Sequence, residues 1–580
     1  MSYAVNSNPR GRILILFFLI ASFLAIITGK LYFLQIRQHK GLTEKANRQH
    51  LRVISIPGKR GTISDRNGRE LAVSLEVSSV FAQPFQIERP EEIARKLSPV
   101  LKIPASEIFR KLRLDKSFVW VQRKVEPAQA EAISAMALPG IYLLPESKRY
   151  YPKQEMAAHL LGFVGMDDKG LEGIEFQYEE FLGGGFINMA GYQDALGRFI
   201  YKAENGNSGQ GYNLELTIDE VIQYIAEKEL QAAIQKSRAL GGSIIVMDPK
   251  TGEILAMANW PTFNPNRFSR YLSSIRRNGI TEDTYEPGSI FKAFMAAAAI
   301  EEGLIHPKDL LFGENGTIQV AGITINDYKK FGWLTFQQAI EYSSNVGAIK
   351  VGLLLGKRRY YDYIRDFGFG SKTGIDLPGE ASGKVRRPRE WSGLSLPSIS
   401  IGQELAVTPI QLISAISAIA NGGFLVKPYV VQAIKAPDGE VVKRFSPLIL
   451  RRVISEETAR TLTGILEGVV ENGTGKKAAI EGYRVAGKTG TSQKLDKATG
   501  RYSHERVVAS FAGYVPVEDP RLAILVVIDE PQLFHWGGSI AAPVFKEVAQ
   551  GVLKYLKVPP SSKAKIQMVK KVIHETRRFN

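Results

Sequence analysis

The residues of this chain that could carry out nucleophilic chemistry begin in the stretch YEPGSIFKAFMAAAAIEEG, from Tyr285 to Gly303. From Ser289 to Ile300 only Ser289 and Lys292 are polar, and a helix that is apolar all round is a buried helix. Ser289 is predicted to lie in its first turn, where free backbone N–H groups favour developing negative charge. Lys292 shares that face. Because burial lowers the pKa of a lysine, its neutral amine could take the serine proton.

A helix-capping serine and an ion-paired lysine would give the same Ser-x-x-Lys pattern without any chemistry. Roughly two such matches are expected by chance in a chain of this length. Ser562 and Lys565, in a basic segment near the C-terminus, form one. The predicted burial of Lys292 distinguishes the Ser289/Lys292 match, since a fully buried lysine is rare unless it is paired. This feature alone leaves both interpretations open.

A second candidate is the stretch FQQAIEYSSNVGAIKVG, in which two serines and an asparagine interrupt a helix-forming segment. Ser343 and Asn345 are two residues apart, so their side chains would face a common cleft only from a turn. Taken alone, the stretch favours an ordinary connection between two helices with capping residues.

The third candidate is YRVAGKTGTSQ, which is predicted to be a strand containing Lys488, Thr489, Gly490 and Thr491. Glycine within a strand often marks the close approach of a ligand or another backbone. An extended substrate could pair along such an edge, with Lys488 meeting a carboxylate and the threonine hydroxyls donating to it. The same triplet at residues 372–374 lies among Gly, Asp and Pro, so it is predicted to be a loop without a catalytic role.

Composition limits the classes of protein that could position these residues. The 580 residues suggest two or more domains. The absence of cysteine excludes disulfides, thiol catalysis and Cys-based zinc sites. The seven histidines lack helical metal-ligand spacing, so neither a metal nor a cofactor is predicted. The net charge of +17 comes without a nucleic-acid-binding motif, which favours work beside an anionic membrane or wall polymer over nucleic-acid binding.

The N-terminal segment from Ile13 to Ile36 is predicted to be a transmembrane anchor. A cleaved signal peptide is the alternative, but no small-x-small cleavage site follows the apolar run. Residues 1–12 are then a short cytoplasmic tail. Lysine and arginine residues lie on both sides of the segment. More of them follow it than precede it, so a count of these charges places the large C-terminal part in the cytoplasm. That count is weak evidence, because long domains translocate largely regardless of it.

The rest of the chain is predicted to form two domains and a tail. Residues 37–213 are read as a β-rich spacer or docking domain, with a hairpin turn at Asn67-Gly68 and helices near PEEIARKLSPVL and EPAQAEAISAMAL. Residues 214–557 begin with an amphipathic helix capped by Asp219 and ending at Gly241-Gly242. Strands at both ends of this region with helices between them indicate an α+β fold. Residues 558–580 are predicted to be a basic tail.

Ser-x-x-Lys, Ser-x-Asn and Lys-Thr-Gly in this order resemble the three motifs of the penicillin-recognising serine acyltransferases. RGTISDRNGRELA, YEPGSIFK, FGFGSKTGIDLPGE and SFAGYVPVEDPRLAILVVIDEP are more narrowly similar to class B penicillin-binding proteins of the septal FtsI type. The resemblance runs from the anchor to about Lys557. It implies a transmembrane helix, an elongated β-rich pedestal of the dimerisation type, and a C-terminal transpeptidase domain with an antiparallel sheet between helical layers.

The resemblance also implies an activity, that of a D,D-transpeptidase that cross-links peptidoglycan stem peptides during septal wall synthesis. Ser289 would be the nucleophile and Lys292 its base, with Ser343 relaying protons and Asn345 holding the substrate amide. Further residues would bind the terminal carboxylate or supply oxyanion N–H groups: Ser289, Lys488, Thr489, Gly490 and Thr491. The implied partners are stem peptides, β-lactams, an FtsW-type glycan polymerase and other divisome membrane proteins. The implied location is the bacterial inner membrane, with the catalytic domain outside.

Other functions remain open at this point. An elongation-specific transpeptidase, a D,D-carboxypeptidase or a β-lactamase could use the same scaffold, although a β-lactamase would not ordinarily need an anchor and pedestal. A catalytically idle division scaffold or a β-lactam sensor is the non-enzymatic alternative. The intact Ser289/Lys292 pair argues against a scaffold, and residues 1–12 are too few for a cytoplasmic signalling segment.

Overall fold

A computed structural model of the chain describes residues 9–43, 51–193, 199–203, 209–496 and 500–561. The described residues form two compact units. One contains the residues up to Gly58 together with Gly185–Gly209, and the other contains Lys59–Gly184 and the residues from Gln210 onward.

The strands of both units are numbered here in chain order. They are β1 Leu51–Pro57, β2 Ile63–Ser64, β3 Glu70–Ala82, β4 Val119–Val125, β5 Ile141–Tyr150, β6 Phe186–Gln193, β7 Phe199–Ala203, β8 Asn213–Leu216, β9 Gly241–Met247, β10 Ile254–Trp260, β11 Leu310–Phe312, β12 Thr317–Val320, β13 Ile323–Asn326, β14 Trp333–Thr335, β15 Phe424–Val426, β16 Val431–Lys435, β17 Val441–Arg444, β18 Ile449–Arg452, β19 Ala486–Leu495, β20 Tyr502–Val515 and β21 Leu522–Asp529.

The α-helices are numbered in the same way. They are α1 Pro9–Tyr32, α2 Pro90–Leu101, α3 Ala105–Leu112, α4 Pro127–Ala135, α5 Ala158–Leu161, α6 Gly173–Gln177, α7 Glu179–Leu182, α8 Glu220–Ser237, α9 Ser273–Arg276, α10 Gly279–Glu282, α11 Lys292–Glu301, α12 Phe336–Glu341, α13 Asn345–Leu355, α14 Lys357–Asp366, α15 Ser395–Ser400, α16 Pro409–Ala420, α17 Glu456–Glu471 and α18 Gly537–Tyr555.

The first unit contains helix α1, which continues as a π-helical turn over Phe33–Arg37. The helical segment Arg10–Arg37 contains an 18-residue stretch with a mean hydropathy of 2.4 and is long and apolar enough to cross a membrane. The prediction of an apolar N-terminal helix is therefore confirmed. Strands β1, β6 and β7 form an antiparallel sheet in the order β1-β6-β7. Most of the predicted tail, residues 1–12, lies outside the described residues.

The second unit contains a seven-stranded sheet in the order β17-β16-β8-β2-β3-β4, with β5 paired to β3. The predicted hairpin is confirmed, since β2 pairs antiparallel to β3 around Gly68, whose φ is +79°. Helices α2 and α4 match the two helices expected there, and α3 has no counterpart in the sequence interpretation. Because β2 pairs with β8 and β8 with β16, the sheet extends across the predicted boundary at residue 213. The predicted domain bounds stay a prediction.

Helix α8 begins as expected but ends earlier. Asp219 caps it through Oδ1, which accepts from the N–H groups of Val221 at 2.9 Å and Ile222 at 3.3 Å. The helix ends at Ser237, so the expected end at Gly241-Gly242 is wrong. Both glycines begin β9, where a Cβ on Gly242 would lie 2.6 Å from the carbonyl oxygen of Val527. These glycines permit close strand and helix packing and do not terminate the helix.

A five-stranded antiparallel sheet in the order β10-β9-β21-β20-β19 forms the centre of the C-terminal part of the second unit. One face, which includes Ile244 and Val526, packs against α8 and α18. The other face, which includes Ile245 and Leu525, packs against a helical layer that includes α11, α16 and α17. The predicted α+β fold, with an antiparallel sheet between helical layers, is confirmed.

The chain after α18 stays attached to this region as far as it is described. Ser561 donates from its N–H to the carbonyl of Gly482 at 2.8 Å and from its hydroxyl to Glu518 Oε2 at 3.0 Å. The first residues of the predicted basic tail are therefore packed, and residues 562–580, with Ser562 and Lys565, lie outside the described residues.

Candidate active site

Ser289 lies on a short 3-10 turn, Gly288–Phe291, that leads directly into α11. It therefore precedes the α-helix and does not lie in its first turn. The expected burial of the helix is confirmed, because Lys292 has no exposed surface and its seven successors are also buried. Ser289 itself is only partly buried, so its hydroxyl lies at the edge of the core with the amine of Lys292 beneath the surface.

Close backbone packing fixes the turn that carries Ser289. Gly288 has φ +56° and donates from its N–H to the carbonyl of Gly402 at 3.0 Å. A Cβ on Gly288 would lie 2.6 Å from the carbonyl oxygen of Thr491, and one on Gly490 would lie 2.9 Å from that of Pro287. The turn is thus held directly against strand β19, which explains the glycine of the Lys-Thr-Gly triplet as a requirement for close approach.

Substitution of Gly402 is expected to disturb this packing. Gly402 has φ +83°, and a Cβ there would lie 2.0 Å from the carbonyl oxygen of Gly288. Gly402→Ala should lower the second-order rate constant of acylation by a penicillin by about 10- to 100-fold, because the backbone beside Ser289 must move. Gly439→Ala is the matched control, since Gly439 has φ +95° and no atom near its missing Cβ. Equal rate losses in the two variants would contradict the packing explanation.

Lys292 is directed at the second motif. Its Nζ donates to the carbonyl oxygen of Ser343 at 2.6 Å, to Asn345 Oδ1 at 2.8 Å and to Ser343 Oγ at 3.3 Å. Within the described residues, none of its hydrogen bonds goes to Ser289. Burial lowers the pKa of Lys292 to about 7, against an opposing effect of the Asp327 carboxylate. Near neutral pH this amine is therefore available as a proton acceptor.

Ser343 lies in a turn between α12 and α13, as the sequence predicted. Its φ of +59° is the left-handed conformation, which is uncommon for serine. Its N–H donates to the carbonyl of Ile340 at 3.1 Å. Ser343 and Asn345 consequently approach Lys292 together, which they could not do from a regular helix.

Lys488 approaches Ser343 from the opposite side. It lies on β19, the edge strand of the five-stranded sheet, and the predicted strand is confirmed. Its Nζ donates to Ser343 Oγ at 3.1 Å, so that hydroxyl lies between two buried amines. Burial, followed by the neighbouring charge of Lys292, lowers the pKa of Lys488 well below its ordinary value. A carboxylate bound at Lys488 would favour its protonated form again.

The two threonines of this strand have different partners from Lys488. The Thr489 and Thr474 hydroxyl oxygens are 2.8 Å apart, and Thr491 Oγ1 accepts from the N–H of Gly537 at 3.1 Å. Alternation along the strand puts both threonines on the face opposite Lys488. The other Lys-Thr-Gly copy is a loop, as predicted, in which the N–H and hydroxyl of Thr373 donate to Glu380.

Three residues that contact these motifs had no sequence signal, namely Asp327, Gly402 and Thr474. Each lies in an irregular or turn segment, and only the folded chain brings it to the motif. Among the described residues, no group of three His, Asp or Glu could hold a metal ion.

The comparisons with known proteins agree with this arrangement. Residues 242–550 match the family model for the penicillin-binding protein transpeptidase domain, and residues 55–216 match that for the penicillin-binding protein dimerisation domain. Stage V sporulation protein D of Bacillus subtilis is 36% identical over 567 residues, covering 96% of this chain and 87% of that protein. Peptidoglycan D,D-transpeptidase FtsI of Escherichia coli is 34% identical, covering 93% of this chain and 91% of that protein.

Solved structures give the same result at the level of fold. The crystal structure of penicillin-binding protein 3 from Mycobacterium tuberculosis matches with a TM-score of 0.69 and 30% identity, covering 88% of this chain and 98% of that chain. The same protein has been solved in complex with aztreonam and with ampicillin.

Proposed function

The chain belongs to the class B penicillin-binding proteins, and from this premise we propose that it cross-links peptidoglycan stem peptides through an acyl-enzyme on Ser289. The observation that carries the assignment is the position of Ser343 Oγ, 3.3 Å from Lys292 Nζ and 3.1 Å from Lys488 Nζ. One of these amines follows the Ser289 turn and the other lies on the strand against which that turn packs. Nucleophile, proton acceptor and carboxylate site thus lie together in one closely packed assembly.

Acylation begins when Ser289 Oγ attacks the carbonyl carbon between the two terminal D-alanines. The neutral amine of Lys292 takes the hydroxyl proton, which its lowered pKa of about 7 permits near neutral pH. The bond from this carbon to the last D-alanine nitrogen then breaks. Ser343, which accepts from both amines, donates its hydroxyl proton to that nitrogen and takes the proton held by Lys292, so Lys292 is neutral again and the rest of the stem peptide remains as an ester on Ser289.

Binding of the substrate uses the exposed edge of β19. An extended stem peptide adds to that edge, and its terminal carboxylate is bound by the hydroxyls of Thr489 and Thr491 on one face of the strand, while the Lys488 ammonium supplies positive charge from the other face. Asn345 holds the substrate amide. The N–H groups of Ser289 and Thr491 stabilise the oxyanion, typically by about 3 kcal/mol for each donor. The close contact between Gly288 and Thr491 supports this pairing of donors.

The second half of the reaction transfers the acyl group to an amine. The amine of a neighbouring stem peptide attacks the ester carbon, loses a proton to Lys292 and forms the cross-link, and Ser289 recovers its proton. A water molecule in place of the amine would make the protein a carboxypeptidase or β-lactamase. The choice between amine and water therefore separates the proposed transpeptidase from those hydrolases.

Two measurements on the purified protein test this function. Fluorescent penicillin should label it covalently, and peptide mapping should place the adduct on the peptide that contains Ser289. A stem-peptide thioester should then be turned over to a transfer product when a D-amino acid is supplied as acceptor. Absence of any adduct would overturn the enzyme assignment, and hydrolysis without transfer would overturn cross-linking. The complexes of the mycobacterial relative with aztreonam and ampicillin support β-lactams as ligands of this chain.

The cellular role that we assign is septal wall synthesis. The extensive match to FtsI of Escherichia coli supports it. The match to stage V sporulation protein D makes wall synthesis during sporulation the second candidate, and elongation is the third. Depletion of the protein should give filaments if it acts at the septum and rounded cells if it acts in elongation. Loss of spores with normal division would instead support the sporulation role.

The proposed setting is the bacterial inner membrane. The N-terminal apolar helix fits a single-pass anchor, with its N-terminus in the cytoplasm and the catalytic region outside. Stem peptides are carried on glycan strands, so wall synthesis also requires a glycan polymerase, and we assign that role to an FtsW-type partner among the divisome membrane proteins. The pedestal, residues 37–213, is the surface we assign to such partners. Fusion of a periplasm-specific reporter to the C-terminus should be active, and an inactive fusion would contradict this orientation.

A further inference from the structure

Asp327 binds the start of α13 through both carboxylate oxygens. Oδ1 accepts from the backbone N–H groups of Asn345 and, at 3.2 Å, Val346. Oδ2 accepts from the Ser344 hydroxyl at 2.7 Å. The Ser344 oxygen in turn accepts from the N–H of Gly347 at 2.9 Å. The free backbone N–H groups in the first turn of α13 are therefore satisfied by Asp327 and by Ser344, whose hydroxyl group Asp327 orients.

The residue before Asp327 fixes the second polar side chain of the motif. Asn345 Nδ2 donates to the carbonyl oxygen of Asn326 at 2.8 Å, and its Oδ1 accepts from Lys292 Nζ at 2.8 Å. Asn326 ends strand β13, and the N–H of Asp327 donates to the carbonyl of Gly316 at 2.9 Å, so the β12–β13 hairpin closes behind the contact. The amide of Asn345 is thus oriented from both ends.

Ser343 depends on these contacts for its position. Its left-handed backbone, with φ +59°, is unfavourable for a serine and must be imposed by its neighbours. On the N-terminal side the turn is held by hydrogen bonds to α12. On the C-terminal side Asp327 holds the two residues that follow. Loss of the Asp327 contacts would let Ser343 Oγ move away from the two lysine amines.

Asp327 also supplies negative charge to a site with two amines. The charged groups that face Lys292 are Lys488 from β19 and Asp327 from the end of the β12–β13 hairpin. Asp327 raises the pKa of Lys292 and thereby opposes the larger effect of burial. Among the described residues Asp327 makes no hydrogen bond or ion pair with Ser289, so its effect on the nucleophile passes through Lys292, Ser343 and Asn345.

We propose that Asp327 is a positioning residue for acylation, which holds the Ser343–Asn345 turn against Lys292 and Lys488 and sets the charge around Lys292. This inference rests on the proposed function, because it assigns a role toward the same acyl transfer. Asp327 does not touch the reacting atoms. It acts on the rate by fixing the proton relay, and it sets the pH at which Lys292 becomes neutral.

The test compares the pH dependence of acylation by fluorescent penicillin in the full-length protein and three variants. Asp327→Asn removes the charge and one acceptor, and the plateau rate constant should fall by about 10- to 100-fold. Because Asp327 favours protonated Lys292, its removal should also move the midpoint of the pH profile to lower pH. Ser344→Ala removes the hydroxyl group that donates to Asp327 Oδ2 but leaves the Asp327 charge. The plateau rate constant should therefore fall without a shift of the midpoint of the pH profile.

The matched control is Asp309→Asn. Asp309 is also an aspartate that accepts a backbone N–H, from His306 at 2.7 Å, but it contacts none of the three motifs. Neither the plateau rate constant nor the midpoint should change in this variant. A change equal to that of Asp327→Asn would show a general loss of structure and would overturn the proposal.

Each remaining outcome decides the proposal. If the midpoint of the pH profile is unchanged in Asp327→Asn, Asp327 is only an ordinary helix cap. If the plateau rate constant is unchanged, Asp327 has no positioning role. If that variant does not fold, as judged by its melting curve, Asp327→Glu is used, which keeps the charge but not the geometry. Asp327→Glu should keep the midpoint of the pH profile and lower the plateau rate constant, and an undiminished rate constant would overturn the proposal.

If the unsubstituted protein is not labelled, the proposed function itself fails. Normal labelling of that protein together with an unaffected Asp327→Asn variant refutes this inference alone.

Discussion

Replacement of Ser289 by alanine is expected to abolish covalent labelling by fluorescent penicillin. The substitution removes only the attacking oxygen from a partly buried position, so the turn held by Gly288, Gly402 and β19 should persist. Without that oxygen there is no bond through which an acyl group could be kept. The acylation rate constant should fall by more than about a thousandfold. In-gel fluorescence and the intact mass of the protein after incubation with the penicillin measure the effect.

The chain contains its own control for this result. Ser562→Ala alters the other Ser-x-x-Lys match and should leave labelling unchanged, because that match has only the letters of the motif. Ser414→Ala removes a buried hydroxyl that donates to the carbonyl of Ile410, and it should also be labelled normally. Full labelling of Ser289→Ala, or an adduct mapped to Ser343 in the unsubstituted protein, would contradict the assignment of the nucleophile.

Much of the site was predictable because its motifs carry local signals. The apolar run after Ser289 predicted the burial of Lys292, since a helix without a polar face must be enclosed. The stretch YRVAGKTGTSQ predicted that Lys488 lies on a strand. The interruption of a helical stretch predicted the turn at Ser343. Each of these properties depends on neighbours in sequence, and the structure confirms all three.

The residues that the sequence did not indicate are those chosen by the tertiary fold. Asp327 and Thr474 reach the motifs from segments that have no periodic pattern, so no local signal identifies them. Glycine also gives an ambiguous signal. Gly241 and Gly242 have the spacing of a helix stop, yet they serve the close approach of strands, whereas Arg238 takes the left-handed position at the end of α8. A single sequence does not distinguish these two uses of glycine.

The seven-stranded sheet explains why domain bounds are harder to predict than the domains themselves. Strand β8 pairs with β2 on one side and with β16 on the other, so residues distant in sequence complete a common sheet. The pattern of predicted elements changes near residue 214, but strand pairing continues across that position. The part of the pedestal in the second unit is therefore continuous with the catalytic region through backbone pairing.

Replacement of Lys292 by methionine is expected to cause the second large loss. Methionine has a similar length but cannot accept a proton, so the acylation rate constant should fall by about 100- to 10,000-fold. In the unsubstituted protein the rate should rise with pH through about 7, as Lys292 loses its proton, and then level off. The variant should lose this step. Stopped-flow measurement of acylation across that range gives both the rate and the profile.

Stability separates the chemical role of Lys292 from a structural one. Removal of a buried amine relieves its desolvation cost, whereas loss of its hydrogen bonds to Ser343 and Asn345 costs about 1–3 kcal/mol. These effects oppose each other, so the melting temperature of Lys292→Met should change little although acylation nearly disappears. Lys350→Met is the control, since Lys350 lies on α13 but donates to Phe312 and Glu314 at the periphery. Acylation of Lys292→Met within tenfold of the unsubstituted rate, or with the step near pH 7 retained, would mean that another group takes the serine proton.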